Sequence, residues 1–202
     1  MTIKKIVNII LMLAIIAGLS GVGLTNILED SEVLQVETNF TDIQNHWAFN
    51  EIASIEARGF LSDMDSEYKP EKVVTRTEFF KMMDKIFDYA IDDEELTENP
   101  ALKEINDFIN SDAELNITRI EAARLIEKSF RAKRLSVMMT LIFPVFADTT
   151  EEESGDLGFV FNTGIMKGRS DGQFCPHDEL TRAELAVVLN RTLATIEIAE
   201  PY

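Results

Sequence analysis

Cysteine is nearly absent from this 202-residue chain: Cys175 stands alone, which excludes an internal disulfide framework. Histidine is scarce too, two in all, and with one thiol that leaves too few ligands for a zinc site of the usual kind. Basic residues are outnumbered, 19 against 36 acids, for a formal charge of −17. Taken over the whole chain, that balance disfavours nucleic acid and anionic lipid as partners, since both would be repelled. Apolar residues are plentiful. At 46% hydrophobic and 27% charged the chain is globular rather than disordered, and its length allows one large or two small domains.

An uncharged run long enough to span a membrane occurs once. It extends from Ile6 to Leu28, with Lys4 and Lys5 before it. The basic start, the apolar centre and the small residues Gly18, Ser20, Gly21 and Gly23 form the pattern of a secretory signal peptide, though no A-x-A triplet marks a cleavage point. The 23 residues also suffice to cross a bilayer as an uncleaved anchor. Either way the rest of the chain is expected outside the cytoplasmic membrane, secreted and at the cell wall or surface layer. The membrane is then a partner only through residues 6–28, if they stay uncleaved. No cysteine lies near this run to carry a lipid.

The chain repeats itself beyond this point. The tetrapeptide T-R-x-E occurs as Thr75-Arg76-Thr77-Glu78, Thr118-Arg119-Ile120-Glu121 and Thr181-Arg182-Ala183-Glu184. An aromatic opening motif occurs as Phe40-Thr41-Asp42-Ile43 and Phe146-Ala147-Asp148-Thr149, each 35 residues ahead of a tetrapeptide. Asp65, Tyr68 and Pro70 stand at the same offsets before Thr75 as Asp171, Phe174 and Pro176 before Thr181. The middle tetrapeptide comes about ten residues early for a regular array, so its unit lacks the loop the others have. A compensating excess lies around Arg131–Val145, where Leu135–Val145 is unusually apolar.

Each tetrapeptide is followed by helical periodicity: Phe79, Met82, Met83 and Ile86; Ala122, Leu125, Ile126 and Phe130; Leu185, Val188, Leu189 and Thr192. Thr at the cap and Glu at the third position make a capping box. A shorter helix is expected ahead of each: about Asn45 to Arg58, Pro100–Ile109, and about Glu152–Asn162, the last weakened by Gly155 and Gly158. One such pair cannot bury its apolar face alone, but three can. The expected fold class is therefore all-α (mainly), a pseudo-threefold bundle of helix–loop–helix repeats.

The pattern resembles the S-layer homology domain of bacterial cell-surface proteins. The third unit carries the fullest match, with Phe146-x-Asp148, the stretch Gly164 to Pro176 that reads G-I-M-K-G-R-S-D-G-Q-F-C-P, and Thr181 to Glu184. The first unit has Phe40-x-Asp42-Ile43, His46-Trp47-Ala48 and its own tetrapeptide, but Ser62 and Ser66 replace the loop glycines Gly168 and Gly172. The resemblance implies a non-enzymatic module that anchors noncovalently to the wall. Grooves between units would hold a secondary cell-wall polysaccharide bearing ketal-linked pyruvate, with other surface-layer proteins as further partners. By position it implies Arg76, Arg119, Arg182, Trp47, Asp42, Asp148, Lys167, Gly168, Asp171 and Gly172 as ligand residues, and neither a catalytic set, a cofactor nor a metal. The alternative is a structural or protein-interaction module that has lost glycan binding. The parts are then 1–28 (signal or anchor), 29–39 (linker), 40–90, 91–131 (degenerate) and 146–195 (units), 132–145 (apolar insertion) and 196–202 (tail).

The residues also support plainer readings. Arginine in a helix's first turn opposes the macrodipole, yet suits an anion that meets free N–H groups and a planar fork together. Alternatively, each arginine pairs with its own glutamate or a neighbouring unit's acid. Trp47 either stacks on a sugar or belongs to the core, its place beside a helix start favouring the core. Gly168 and Gly172 serve turns, Asp171 makes an Asx-turn, and the clusters Asp92–Glu95 and Glu151–Glu153 are solvated loops. His46 and His177 read as surface or capping residues. Because only the third unit keeps its loop together with Arg182, loss of Arg182 is expected to weaken binding more than loss of Arg119.

Overall fold

All three T-R-x-E threonines start a helix, and all three close the capping box. The Thr75, Thr118 and Thr181 hydroxyls accept the amides of Glu78, Glu121 and Glu184, whose carboxylates accept the threonine amides in return. The computed structural model describes residues 37–202 apart from positions 90, 92 and 170. The signal-or-anchor segment 1–28 and linker residues 29–36 lie outside the described residues. The order is α1 (Phe49–Ala57), α2 (Arg76–Phe87), α3 (Asp93–Glu98), α4 (Pro100–Ser111), α5 (Arg119–Ala132), β1 (Leu135–Ser136), α6 (Glu151–Asn162), α7 (Arg182–Ile196) and β2 (Glu200–Pro201). The fold is mainly α; among the described residues the only strands are β1 and β2, antiparallel with Leu135 opposite Pro201.

Just ahead of the capped helices α2, α5 and α7, the three units lock together. The Val74 amide donates to the Leu180 carbonyl at 2.9 Å, Leu180 to Ile117 at 3.0 Å, and Ile117 back to Val74 at 2.9 Å. These three side chains have no exposure, so a closed ring of hydrogen bonds sits inside the core. The ring joins the residues just ahead of all three T-R-x-E tetrapeptides.

A second ring corrects one expectation. The Arg76, Arg119 and Arg182 amides donate to the Leu115, Asp178 and Lys72 carbonyls, each at 2.9 Å. The next amides, of Thr77, Ile120 and Ala183, donate to Ala113, Pro176 and Pro70. With the third amide taken by threonine, most of the free N–H groups at a helix start are spent inside the protein. The N-termini of α2, α5 and α7 are therefore closed to an anion.

The first helix of a unit lies on the capped helix of the preceding one: α1 packs on α7 and α6 on α5. The middle unit departs from this, since α4 packs mainly on its own α5. Seven residues join α4 to α5, against eighteen between α1 and α2 and nineteen between α6 and α7. The short connection cannot carry α4 across to its neighbour.

The expected first helices are found with small shifts. α1 starts at Phe49 rather than Asn45 because residues 44–48 turn, with the His46 ring accepting the Ala48 amide at 3.2 Å. α6 begins at Glu151 despite its two glycines. Glu151–Glu153 is thus not a solvated loop but a first helical turn, with a fourth capping box between Thr150 and Glu153. Three acids in that turn also complement the helix dipole.

Candidate functional site

The three tetrapeptide arginines all reach out of their own unit. Arg76 Nη2 donates to Glu121 at 2.6 Å and Arg182 Nη2 to Glu78 at 2.8 Å, while Arg119 Nη1 lies 3.7 Å from Glu184. Each receiving carboxylate also caps its own helix, so one glutamate closes a box and ties two units. Arg76 stacks 4.3 Å over the Phe108 ring and Arg119 4.7 Å over Phe174. Of the two plain readings of these arginines, pairing with a neighbouring unit's acid is the one the geometry realises.

Crossing between units also changes which arginine serves which loop. Arg182 Nη1 donates to the Tyr68 carbonyl, in the loop of the first unit, at 2.8 Å. The loop of the third unit is held by Arg119, whose Nε donates to the Phe174 carbonyl at 2.9 Å and Nη2 to the Lys167 carbonyl at 3.1 Å. The pairing of Arg182 with its own loop is therefore corrected. Arg119 is only 6% exposed, and burial pushes its pKa down while Glu184 opposes the shift.

The opening acids clamp the same loops from the other side. Asp42 accepts the amides of Tyr68 and Lys69 at 2.9 and 2.7 Å, and Asp148 those of Phe174 and Cys175 at 2.9 and 2.7 Å. Lys69 and Cys175 stand at φ 59° and 56°, so the clamps sit where the backbone is least comfortable. The turns they hold aim the Pro70 and Pro176 carbonyls at Ala183 and Ile120. For Asp42, burial raises the pKa but the donated amides outweigh it and the net shift is downward. For Asp148 the Phe174 amide leads the downward shift.

Beside the third loop lies a cleft of about 320 Å³, within the size range of small-ligand sites. Lys167, Gly168 and Arg169 form one wall, Glu184 and Arg191 of α7 another, with Arg119 at the base and Trp47 of the first unit on the rim. Trp47 is 65% exposed, which corrects the core assignment favoured by its position. Four cations face one acid here, in a chain whose net charge is −17. Among the described residues no carboxylate pairs with Lys167, whereas Arg169 lies 3.2 Å from Asp178 and 3.4 Å from Glu184.

The cleft gathers four of the expected ligand residues: Arg119, Trp47, Lys167 and Gly168. It adds Arg169 and Arg191, which the sequence reading missed. Arg191 follows Glu184, Val187 and Val188 at the spacing of one helix face, and that stripe was the available signal. Asp171 and Gly172 shape the loop instead, through a 3.2 Å bond from the Gln173 amide to Asp171 and φ 77° at Gly172. Gly168 is not a turn residue; a Cβ there would collide with the Phe146 ring and lie 3.1 Å from the Gln173 carbonyl oxygen.

A second cleft, of about 400 Å³, adjoins the first loop and Arg182. Asp63, Asp65 and Glu67 face Lys69, Lys72 and Arg182 there, so its charge is balanced and it has no aromatic rim. Arg76 lines neither of these two clefts.

Residues 39–80 and 146–186 match the family model of the S-layer homology domain; residues 91–131 lie outside both matches. Among curated proteins the chain is similar to "Exoglucanase XynX" of Acetivibrio thermocellus, 26% identical over 197 residues that cover 83% of this chain and 18% of that protein. The chain therefore spans less than a fifth of that relative's length.

Proposed function

We propose that this protein, whose residues 39–80 and 146–186 match the S-layer homology domain, is a cell-surface anchoring module that binds an acidic secondary cell-wall polysaccharide noncovalently and performs no catalysis. The cleft beside the third loop is the binding groove. The observation that carries this reading is the collection of Lys167, Arg169, Arg191 and Arg119 beside an exposed tryptophan. Trp47 offers a flat apolar face to a sugar ring. Lys167 and Arg191 offer charge to a carboxylate such as a ketal-linked pyruvate. Arg119 positions the loop from below, and Asp148 clamps it from behind.

The middle stretch 91–131 serves as a third, degenerate unit that supplies Arg119 and no groove of its own. Its missing loop leaves Arg76 against Phe108 and Glu121. The second cleft has a balanced charge and contributes weakly. Outside the cytoplasmic membrane, the protein joins the wall either as a surface component itself or as the anchor of a partner protein.

The test is sedimentation of the purified protein with isolated wall sacculi. Cosedimentation that disappears when the wall polysaccharide is stripped supports the proposal; binding that survives stripping, or none, overturns it. A second reading, a protein-interaction module without glycan binding, is favoured by one observation, the commitment of all three tetrapeptide arginines to protein acceptors. Capture of a surface protein with no sedimentation by sacculi would select it.

A further inference from the structure

One surface patch takes no part in the threefold core or in the cleft. Between β1 and Phe146 the chain has neither helix nor strand; Val137 packs against the core, but five large apolar side chains beyond it face solvent. Met138 is fully exposed, Phe143 79% and Val145 90%, with Leu141 and Ile142 beside them. The strap is nevertheless fastened at its middle. The Ile142 amide donates to Asn162 Oδ1 at 2.9 Å, and Asn162 Nδ2 donates back to the Ile142 carbonyl at 2.8 Å. A strap pinned by its backbone at the end of α6 presents its side chains outward. Isolated exposed apolar residues are ordinary, but a contiguous run of them marks a contact surface.

Charge and chain length narrow the occupant to a lipid surface. From Arg131 to Ala147 there are three cations, Arg131, Lys133 and Arg134, and no acid, although the whole chain stands at −17. Arg131 and Arg134 are exposed where the strap begins. Although Glu200 of β2 stands opposite Ser136, apolar side chains bordered along the chain by basic ones suit the boundary between acyl chains and anionic head groups. The uncharged run 6–28 ends only eight residues before Glu37, the first described residue. A fully extended linker of that length reaches at most about 29 Å. If the run remains in the membrane, the chain at Glu37 lies no farther from the bilayer than this reach.

We propose that the strap 137–145 is a lipid-docking element that enters the interfacial layer of the bilayer, with Phe143 among the acyl chains and Arg134 at the phosphates. It holds the domain in one orientation on the membrane, independently of wall binding.

The test uses the full chain reconstituted in mixed phosphatidylcholine–phosphatidylglycerol vesicles. Phe143→Trp in a Trp47→Phe background puts the single indole at the strap, while the native chain reports from Trp47. With brominated acyl chains, emission from position 143 is expected to fall about twofold or more, and emission from Trp47 to stay nearly unchanged. Quenching at 143 no greater than at 47 overturns the proposal. That result also follows if a second copy of the chain or a protein partner covers the strap.

Discussion

Arg119 opens α5 after a connection of only seven residues, yet its Nε donates at 2.9 Å to the Phe174 carbonyl in the longer loop between α6 and α7. The support of the cleft therefore comes from the part of the chain outside both family matches. Arg119→Ala is expected to weaken sedimentation with sacculi more than Arg182→Ala, the reverse of what the tetrapeptides suggest by themselves. The change leaves two loop carbonyls and Glu184 short of a partner at a nearly buried site. A loss of about 3 kcal/mol of unfolding free energy is expected by urea denaturation. Equal effects of the two substitutions on sedimentation would remove Arg119 from the groove.

Trp47 separates binding from folding, because its ring stands in solvent beside the cleft. Trp47→Ala is expected to change stability by no more than about 0.5 kcal/mol. Affinity for wall polysaccharide should fall about three- to tenfold, the worth of one stacking contact. Calorimetry with the isolated polymer reads both, since an unchanged melting curve excludes a folding defect.

Gly168 is required by a collision rather than by a turn. Gly168→Ala places a methyl group against the Phe146 ring and is expected to cost about 1–3 kcal/mol. Phe146→Leu removes the colliding ring edge. The double substitution should therefore be less destabilising than the two single costs together. Strict additivity in a double-mutant cycle would show that the ring is not the obstacle.

Acid stability should carry the signature of Glu78. Burial works to raise its pKa, but hydrogen bonds from Lys72, Arg182 and the Thr75 amide hold it down at about 2, against 4.5 for a free glutamate. A pKa lower in the folded state means that the stabilisation is complete above about pH 4.5 and is lost as the pH falls toward 2. Melting temperature should drop across that window. Glu78→Gln should melt lower at neutral pH but show a flatter acid profile, and an unaltered slope would contradict this linkage.

Asp148→Asn tests the loop clamp. Asparagine has one acceptor oxygen where the carboxylate has two, so it keeps at most one of the Phe174 and Cys175 amides and turns its NH2 group toward the other. Hydrogen exchange at these two amides is expected to accelerate about tenfold while the α5 and α7 amides keep their protection. Uniform acceleration throughout would mean that the acid supports the whole fold rather than the loop.

Much of this protein was legible because its signals are local. Thr75, Thr118 and Thr181 each stand three residues before a glutamate, and a capping box needs nothing beyond that spacing. The equal offsets of Asp65 and Asp171, and of Tyr68 and Phe174, showed a shared loop that the two aspartate clamps then display. Thr150 and Glu153 carry the same spacing, but with Glu151 and Glu152 between them the stretch has the composition of a solvated loop. Trp47 misled because a large aromatic beside a helix start is so often buried; here the small Ala48 goes inside and Trp47 stays out.

Local chemistry along the chain determined that each T-R-x-E would open a capped helix, where each of these three begins and that an arginine follows each of their caps. It could not determine whose glutamate each arginine would meet, because T-R-x-E reads the same whether the contact lies within a unit or between units. Tertiary structure decided that, by closing a ring in which every arginine reaches the neighbouring unit. The same closure brought Trp47 and Arg119 to the edge of a loop far from both in sequence. Contacts of that range depend on how helices cross, and a linear pattern does not contain the crossing.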